Sequence, residues 1–187
     1  MNLNIPNLLT LLRIMLLPIF VVIFYLPFYG QYLVCAGIFT LAALTDWVDG
    51  YLARKLNQTT MFGAFIDPVA DKLMVAVALV LIVSVYADPW LTIPAAIIIC
   101  REIVVSALRE WMAELSLRAQ VAVSDIAKYK TAMQMIALLC LLIAKTLPHT
   151  WIVMIAYVLL YIAAFLTLYT MLLYLRAAWP YLRDKSF

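Results

Sequence analysis

Residues 44–72 read LTDWVDGYLARKLNQTTMFGAFIDPVADK. This short stretch packs seven charged side chains between two tracts that have none, residues 14–45 and 73–87. Further uncharged tracts run over 89–100, 131–144 and 146–175. A helix that crosses a bilayer needs about 20 mostly apolar residues, so each tract marks the charge-free part of one or more candidate crossings. The first is too long for one crossing, and Pro27 and Gly30 within LPFYGQ are turn signals that divide it. Asp88-Pro89 separates the third and fourth crossings, and Pro148-His149 the fifth and sixth. The pattern predicts six transmembrane helices, over about residues 7–27, 31–54, 67–86, 90–112, 121–145 and 150–177, in one domain spanning 1–187. The fold class is therefore all-α integral membrane protein.

Composition excludes most other classes. The chain is 68% hydrophobic and 12% charged with mean hydropathy +1.06, whereas a soluble domain carries about 25% charged residues. Its apolar surface cannot be hidden inside one water-exposed globule. A net charge of +3 gives no case for a polyanionic partner, and nucleic acid is not expected. Cys35, Cys100 and Cys140 lie in apolar runs without metal-type spacing and read as packing residues. The first apolar run has neither a basic leader nor a small-residue cleavage site, so it reads as a retained helix. Of thirteen basic residues, only Lys145 falls on the side of the odd-numbered connections. Cytoplasmic loops hold the excess of Lys and Arg, so both termini are expected in the cytoplasm, which agrees with an even number of crossings.

The acids are the anomaly. A carboxylate at the centre of a membrane helix costs at least about 2.5–3.5 kcal/mol, so such residues usually have a task. Asp46, Asp49, Gly50 and Ala53 recur at helical spacing and share one face. Two carboxylates one turn apart repel unless a cation or proton lies between them. Gly50 and Ala53 remove bulk from the same stripe, so a large group can approach the backbone. Asp46 lies eight residues before Arg54, about 12 Å deeper along a helix. Asp67 before Pro68 reads as the N-cap of the third helix, with Asp71 one turn further on the same face. Four carboxylates from two adjacent helix ends form a hard-oxygen donor set that suits Mg²⁺ or Mn²⁺. The plainer reading is a helix cap plus interfacial acids paired with Arg54, Lys55 and Lys72.

At every fixed position Asp46-x2-Asp49-Gly50-x2-Ala53-Arg54-x8-Gly63-x3-Asp67-x3-Asp71 resembles the signature of the CDP-alcohol phosphotransferases, an integral-membrane family. The segments NIPNLLTLLRI, FGAFIDPVADK, CREIVVSALREWMAE and KYKTAMQ are similar to the bacterial phosphatidylglycerophosphate synthase branch, and together they reach across most of the chain. The resemblance implies the fold of that family, a bacterial inner-membrane location with the active site facing the cytoplasm, and a homodimer. It implies transfer of a phosphatidyl group from CDP-diacylglycerol to sn-glycerol-3-phosphate with release of CMP. It further implies two divalent cations held by Asp46, Asp49 and Asp67, with Asp71 at the second ion and at the attacking hydroxyl. Two ions about 3.5–4 Å apart neutralise a diphosphate on both its transferring and leaving oxygens, and Asp71 can serve as general base. Gly50, Ala53, Arg54 and Gly63, the last in the connecting loop, would receive the nucleotide, with polar contacts from Asn7 and Thr10. For Arg13 a nucleotide contact competes with simple snorkelling to the interface.

The acceptor is read from cations, because glycerol-3-phosphate carries a phosphate and simple polyols do not. Arg109 and Lys130 are the expected phosphate ligands, with Arg101 and Arg118 as further candidates and Gln134 in support. Glu102, Glu110 and Glu114 offer each arginine a local partner instead. Two other functions compete. One is a sibling enzyme with a different acceptor, of the cardiolipin- or phosphatidylinositol-synthase type, which should lack a cationic acceptor pocket. The other is a cation transporter, disfavoured because the acids cluster towards one side.

Overall fold

The computed structural model describes residues 5–56, 61–114, 125–147 and 149–183, with side chains described for 8–46, 66, 69–113, 129–147 and 149–179. Among the described residues six helices follow one another: α1 (Ile5–Tyr25), α2 (Gln31–Leu56), α3 (Met61–Tyr86), α4 (Pro89–Glu114), α5 (Asp125–Thr146) and α6 (Thr150–Arg183). Five of them contain windows long and apolar enough to cross a membrane, as a multi-pass membrane protein requires. In α2 the described apolar stretch runs over Gln31–Asp46.

The third helix begins earlier than the sequence predicts. It starts at Met61, so Asp67 is seventh in the helix and not its N-cap, and Gly63 lies in its first turn and not in a loop. Proline biases the residue before it away from the helix, but this is a tendency and not a stop. Membrane helices accommodate an interior proline because neighbouring groups satisfy the freed carbonyl. Here the apolar segment MFGAFI continues the helix upstream, as helix also continues through Pro18 in α1 and Pro94 in α4.

The chain forms two compact units. The first comprises residues 1–85 and 138–153, the second 86–137 and 154–187. In the first unit α1 presents Leu8, Leu12, Met15, Ile19 and Val22 outward, while Thr10, Arg13, Leu16, Phe20 and Phe24 are buried. Both faces are largely apolar, as expected where lipid is the solvent. The buried face is closed by rings: Phe20 lies 6.4 Å from Phe39 and Phe24 packs edge-on at 5.4 Å to Tyr32. Gly30, at φ +87°, makes the turn into α2. Lys145 donates from Nζ to the Val85 carbonyl at 3.2 Å, satisfying a carbonyl in the last turn of α3. An open cavity of about 360 Å³ lies beside the α1–α2 turn, lined by Tyr29, Gln31, Tyr32, Lys145 and Thr146 among others, at the end of α2 remote from its aspartates.

In the second unit α6 buries a stripe at helical spacing: Ala156, Leu160, Ala163, Thr167, Thr170, Tyr174 and Ala178. Small residues let membrane helices approach closely, and the threonines bring polar groups into the interface. Val105, Leu108 and Met112 of α4 pack with Tyr174 and Ala178. Asp88 caps α4, accepting from the Trp90 amide through Oδ1 at 3.0 Å and from the Tyr157 hydroxyl through Oδ2 at 2.5 Å. Ala87 before it has φ +49°, a left-handed conformation unusual for a residue with a Cβ.

Candidate active site

The first unit carries the acidic constellation. Asp46 and Asp49 lie three positions apart within α2, and Asp67 and Asp71 four positions apart within α3. The side chains of Asn7, Asp49, Gly50, Ala53, Arg54, Gly63 and Asp67 are outside the described set, and Arg118 lies outside the described residues altogether. Of the four aspartates, Asp46 and Asp71 have described side chains. Asp71 is half-buried on α3. Asp46 Oδ1 forms an ion pair with Arg13 Nη1 at 2.8 Å, with the arginine side chain 1% and the carboxylate 44% exposed.

That pair answers the question left by Arg13. Its side chain turns into the helix packing and meets α2; it does not snorkel. Thr10, one turn earlier on α1, is buried on the same side. A buried guanidinium is stable only with a partner, and Asp46 supplies one. The carboxylate keeps nearly half its surface open despite the pair, so a second cation can still reach it. Among the described residues no group of three or more His, Cys, Asp or Glu side chains converges. The chemistry of the four-aspartate set, all hard oxygen donors with one member open to approach, fits a hard divalent cation.

The second unit carries the cations. Arg101 and Lys130 are each 4% exposed and Arg109 is half-buried. Arg101 Nη1 and Lys130 Nζ share one carboxylate oxygen, Glu102 Oε1, at 2.9 and 3.3 Å. Arg101 Nη2 also reaches Thr167 Oγ1 at 3.4 Å. Arg109 does not pair locally with an acid among the described residues. It donates from Nη2 to the Tyr174 hydroxyl at 2.9 Å, and its guanidinium carbon lies 5.0 Å from the centre of the same ring. Gln134, one turn beyond Lys130 on α5, is buried. Two of these cations therefore share one carboxylate while Arg109 is held by a neutral hydroxyl, and the Nε donors of both Arg101 and Arg109 are buried without a hydrogen-bond partner among the described residues. Excess buried positive charge with orphaned donors is the arrangement that an anion completes.

Sequence reasoning missed Thr167 and Tyr174 as partners of the arginines. Their signal was present: with Thr170 they are polar residues at helical spacing within the uncharged run 146–175. Asp88, at the α3–α4 turn, lies apart from the other acids in the sequence, but both of its oxygens are engaged in capping α4 and holding Tyr157.

A multi-helix membrane chain with this acidic motif defines a class. Residues 3–177 match the family model described as CDP-alcohol phosphatidyltransferase, and the chain belongs to that family. Within it, the chain is similar to proteins named CDP-diacylglycerol--glycerol-3-phosphate 3-phosphatidyltransferase. It is 58% identical to that of Pseudomonas fluorescens over 184 residues, 98% of this chain and 94% of the relative. It is 55% identical to that of Salmonella typhimurium strain LT2 over 185 residues, 99% and 100% of the two chains. To that of Yersinia pestis strain Pestoides F it is 56% identical over 179 residues, 96% and 97%.

Proposed function

We propose that this chain transfers the phosphatidyl group of CDP-diacylglycerol to sn-glycerol-3-phosphate, forming phosphatidylglycerophosphate and releasing CMP. The observation that carries the choice of acceptor is the set of cations in the second unit: Arg101 and Lys130 share the one carboxylate of Glu102, and Arg109 is held by the Tyr174 hydroxyl. A neutral polyol would leave that charge uncompensated, and a phosphate supplies the missing anion.

The residues divide the work as follows. Asp46, Asp49 and Asp67, with Asp71, would hold two divalent cations, Mg²⁺ or Mn²⁺. When bound, these ions neutralise the diphosphate oxygens in the transition state. Arg13 fixes the orientation of Asp46 through the 2.8 Å pair. Gly50, Ala53, Gly63 and Arg54, with Asn7 and Thr10, receive the cytidine diphosphate. Asp71 accepts the proton of the acceptor hydroxyl as its oxygen attacks the β-phosphorus; the phosphorus–oxygen bond to CMP breaks and CMP leaves. Arg109, Lys130 and Arg101, with Arg118, hold the acceptor phosphate, and Gln134 supports Lys130.

We also infer six crossings, with α2 as the sixth apolar span, and both termini in the cytoplasm of a bacterium. The active site then faces the cytoplasm from the inner membrane, and the enzyme works as a homodimer. The test is CMP release from CDP-diacylglycerol by purified protein, with and without Mg²⁺ or Mn²⁺. Glycerol-3-phosphate should support release, while inositol and phosphatidylglycerol should not. Release that is independent of divalent metal, or equal with inositol, would overturn the assignment.

A further inference from the structure

We propose that Tyr174 of α6 is a positioning residue that sets acceptor affinity by holding the Arg109 guanidinium ready for a phosphate. The inference rests on the acceptor reading above and adds to it a residue that neither the acidic motif nor the cation pattern picks out. Tyr174 grips Arg109 in two ways, accepting from Nη2 at 2.9 Å and placing its ring 5.0 Å from the guanidinium carbon. The ring is itself fixed, 7% exposed and packed with Val105, Leu108, Met112 and Ala178. A long, flexible side chain is thus anchored on a rigid one. Arginine loses rotamer freedom when it binds an anion, and a group already held in its bound geometry loses less.

What remains free on Arg109 gives the anchor its purpose. One of five guanidinium donors is used by Tyr174, and the buried Nε has no hydrogen-bond partner among the described residues. Among the described residues no acid pairs with Arg109, whereas Glu102 meets both Arg101 and Lys130. Tyrosine holds the guanidinium without cancelling its charge. A neutral anchor therefore leaves the full positive charge for a ligand, which a carboxylate anchor would not. Arg101 is treated similarly by the same helix: Thr167, seven residues before Tyr174 and on the same stripe, accepts from its Nη2 at 3.4 Å. Its Nε is likewise buried and unpartnered among the described residues.

The test is a double-mutant cycle on the full-length protein in detergent, with each substrate varied in turn. Tyr174→Phe keeps the ring and its packing and removes the hydroxyl. It should raise KM for glycerol-3-phosphate about three- to tenfold. KM for CDP-diacylglycerol and kcat should stay within about twofold. Tyr174→Leu, which removes both grips, should raise the acceptor KM further, with Phe as the partial rescue. In an Arg109→Ala background, Tyr174→Phe should have almost no added effect, because the tyrosine acts through the arginine. If Arg109→Ala raises the acceptor KM and Tyr174→Phe does not, or if the two effects multiply, the positioning role is wrong and the acceptor reading stands. If Tyr174→Phe raises both KM values together or lowers kcat, the residue is structural and the proposal is overturned. If Arg109→Ala leaves the acceptor KM unmoved, the acceptor reading fails and this inference fails with it.

Discussion

Glu102→Gln gives the sharpest view of how the cationic cluster is held. Glu102 Oε1 serves Arg101 at 2.9 Å and Lys130 at 3.3 Å; both cation side chains are 5% exposed and the glutamate 28%. Glutamine keeps the length and one carbonyl oxygen but removes the charge. A charge-assisted contact contributes about 1.5–3 kcal/mol and a neutral one about 0.5–1.5. The loss is therefore about 1–1.5 kcal/mol per contact, or about 2–3 kcal/mol for the two. For a chain of this size that corresponds to a fall in Tm of about 4–12 °C. An anion in the cluster should replace the missing carboxylate, so glycerol-3-phosphate should raise the Tm of the variant more than that of the unmodified protein. Tryptophan-fluorescence melting in detergent, with glycerol-3-phosphate titrated against glycerol as the uncharged control, reads both effects. An unchanged Tm, or equal protection of the two proteins, would refute the claim that Glu102 is the shared counterion of a phosphate-binding cluster.

Other expectations are simpler. Asp49→Asn should leave the protein folded in detergent and abolish turnover even at saturating Mg²⁺, since an amide oxygen is a weaker, uncharged ligand; near-normal activity would remove Asp49 from the ligand set. Asp71→Asn should lower kcat by about 10²–10⁴ while CDP-diacylglycerol still binds; loss of equilibrium binding in step with activity would point to a purely metal-holding role. Ala87→Gly should raise Tm slightly, because a left-handed backbone costs an alanine about 1–2 kcal/mol, more than the extra chain entropy of glycine returns to the unfolded state. A drop in Tm would show that this turn is not strained.

The helix count was legible because charge is so sparse that its gaps outline the apolar runs, and the turns at Gly30 and Asp88 fell where punctuation placed them. The start of α3 was not, because Pro68 carries the same local signal whether it opens a helix or interrupts one. Only the apolar context upstream, continuing the helix from Met61, decides between them. Partner choice was the least legible layer. Arg109 had a glutamate beside it in sequence, yet its described contact is Tyr174, 65 residues away. Which face of α4 meets which face of α6 depends on the packing of Val105, Leu108 and Met112, and no local spacing encodes that. Arg13 is similar: whether it snorkels or pairs is fixed by the approach of α1 to α2, which brings Asp46 within 2.8 Å. The stripe from Ala156 to Ala178 on α6 was readable in principle, since its small and polar residues recur at three and four.

The central claim is that buried cations on α4 and α5 read the acceptor's phosphate. The most direct test compares kcat/KM for glycerol-3-phosphate with that for glycerol, in the unmodified enzyme and in an Arg109→Ala, Lys130→Gln double variant. Two charge-assisted phosphate contacts at about 1.5–3 kcal/mol each predict that this preference falls by at least about 100-fold in the variant, through loss of glycerol-3-phosphate turnover and not through gain on glycerol. A preference that survives the double substitution unchanged would contradict the account.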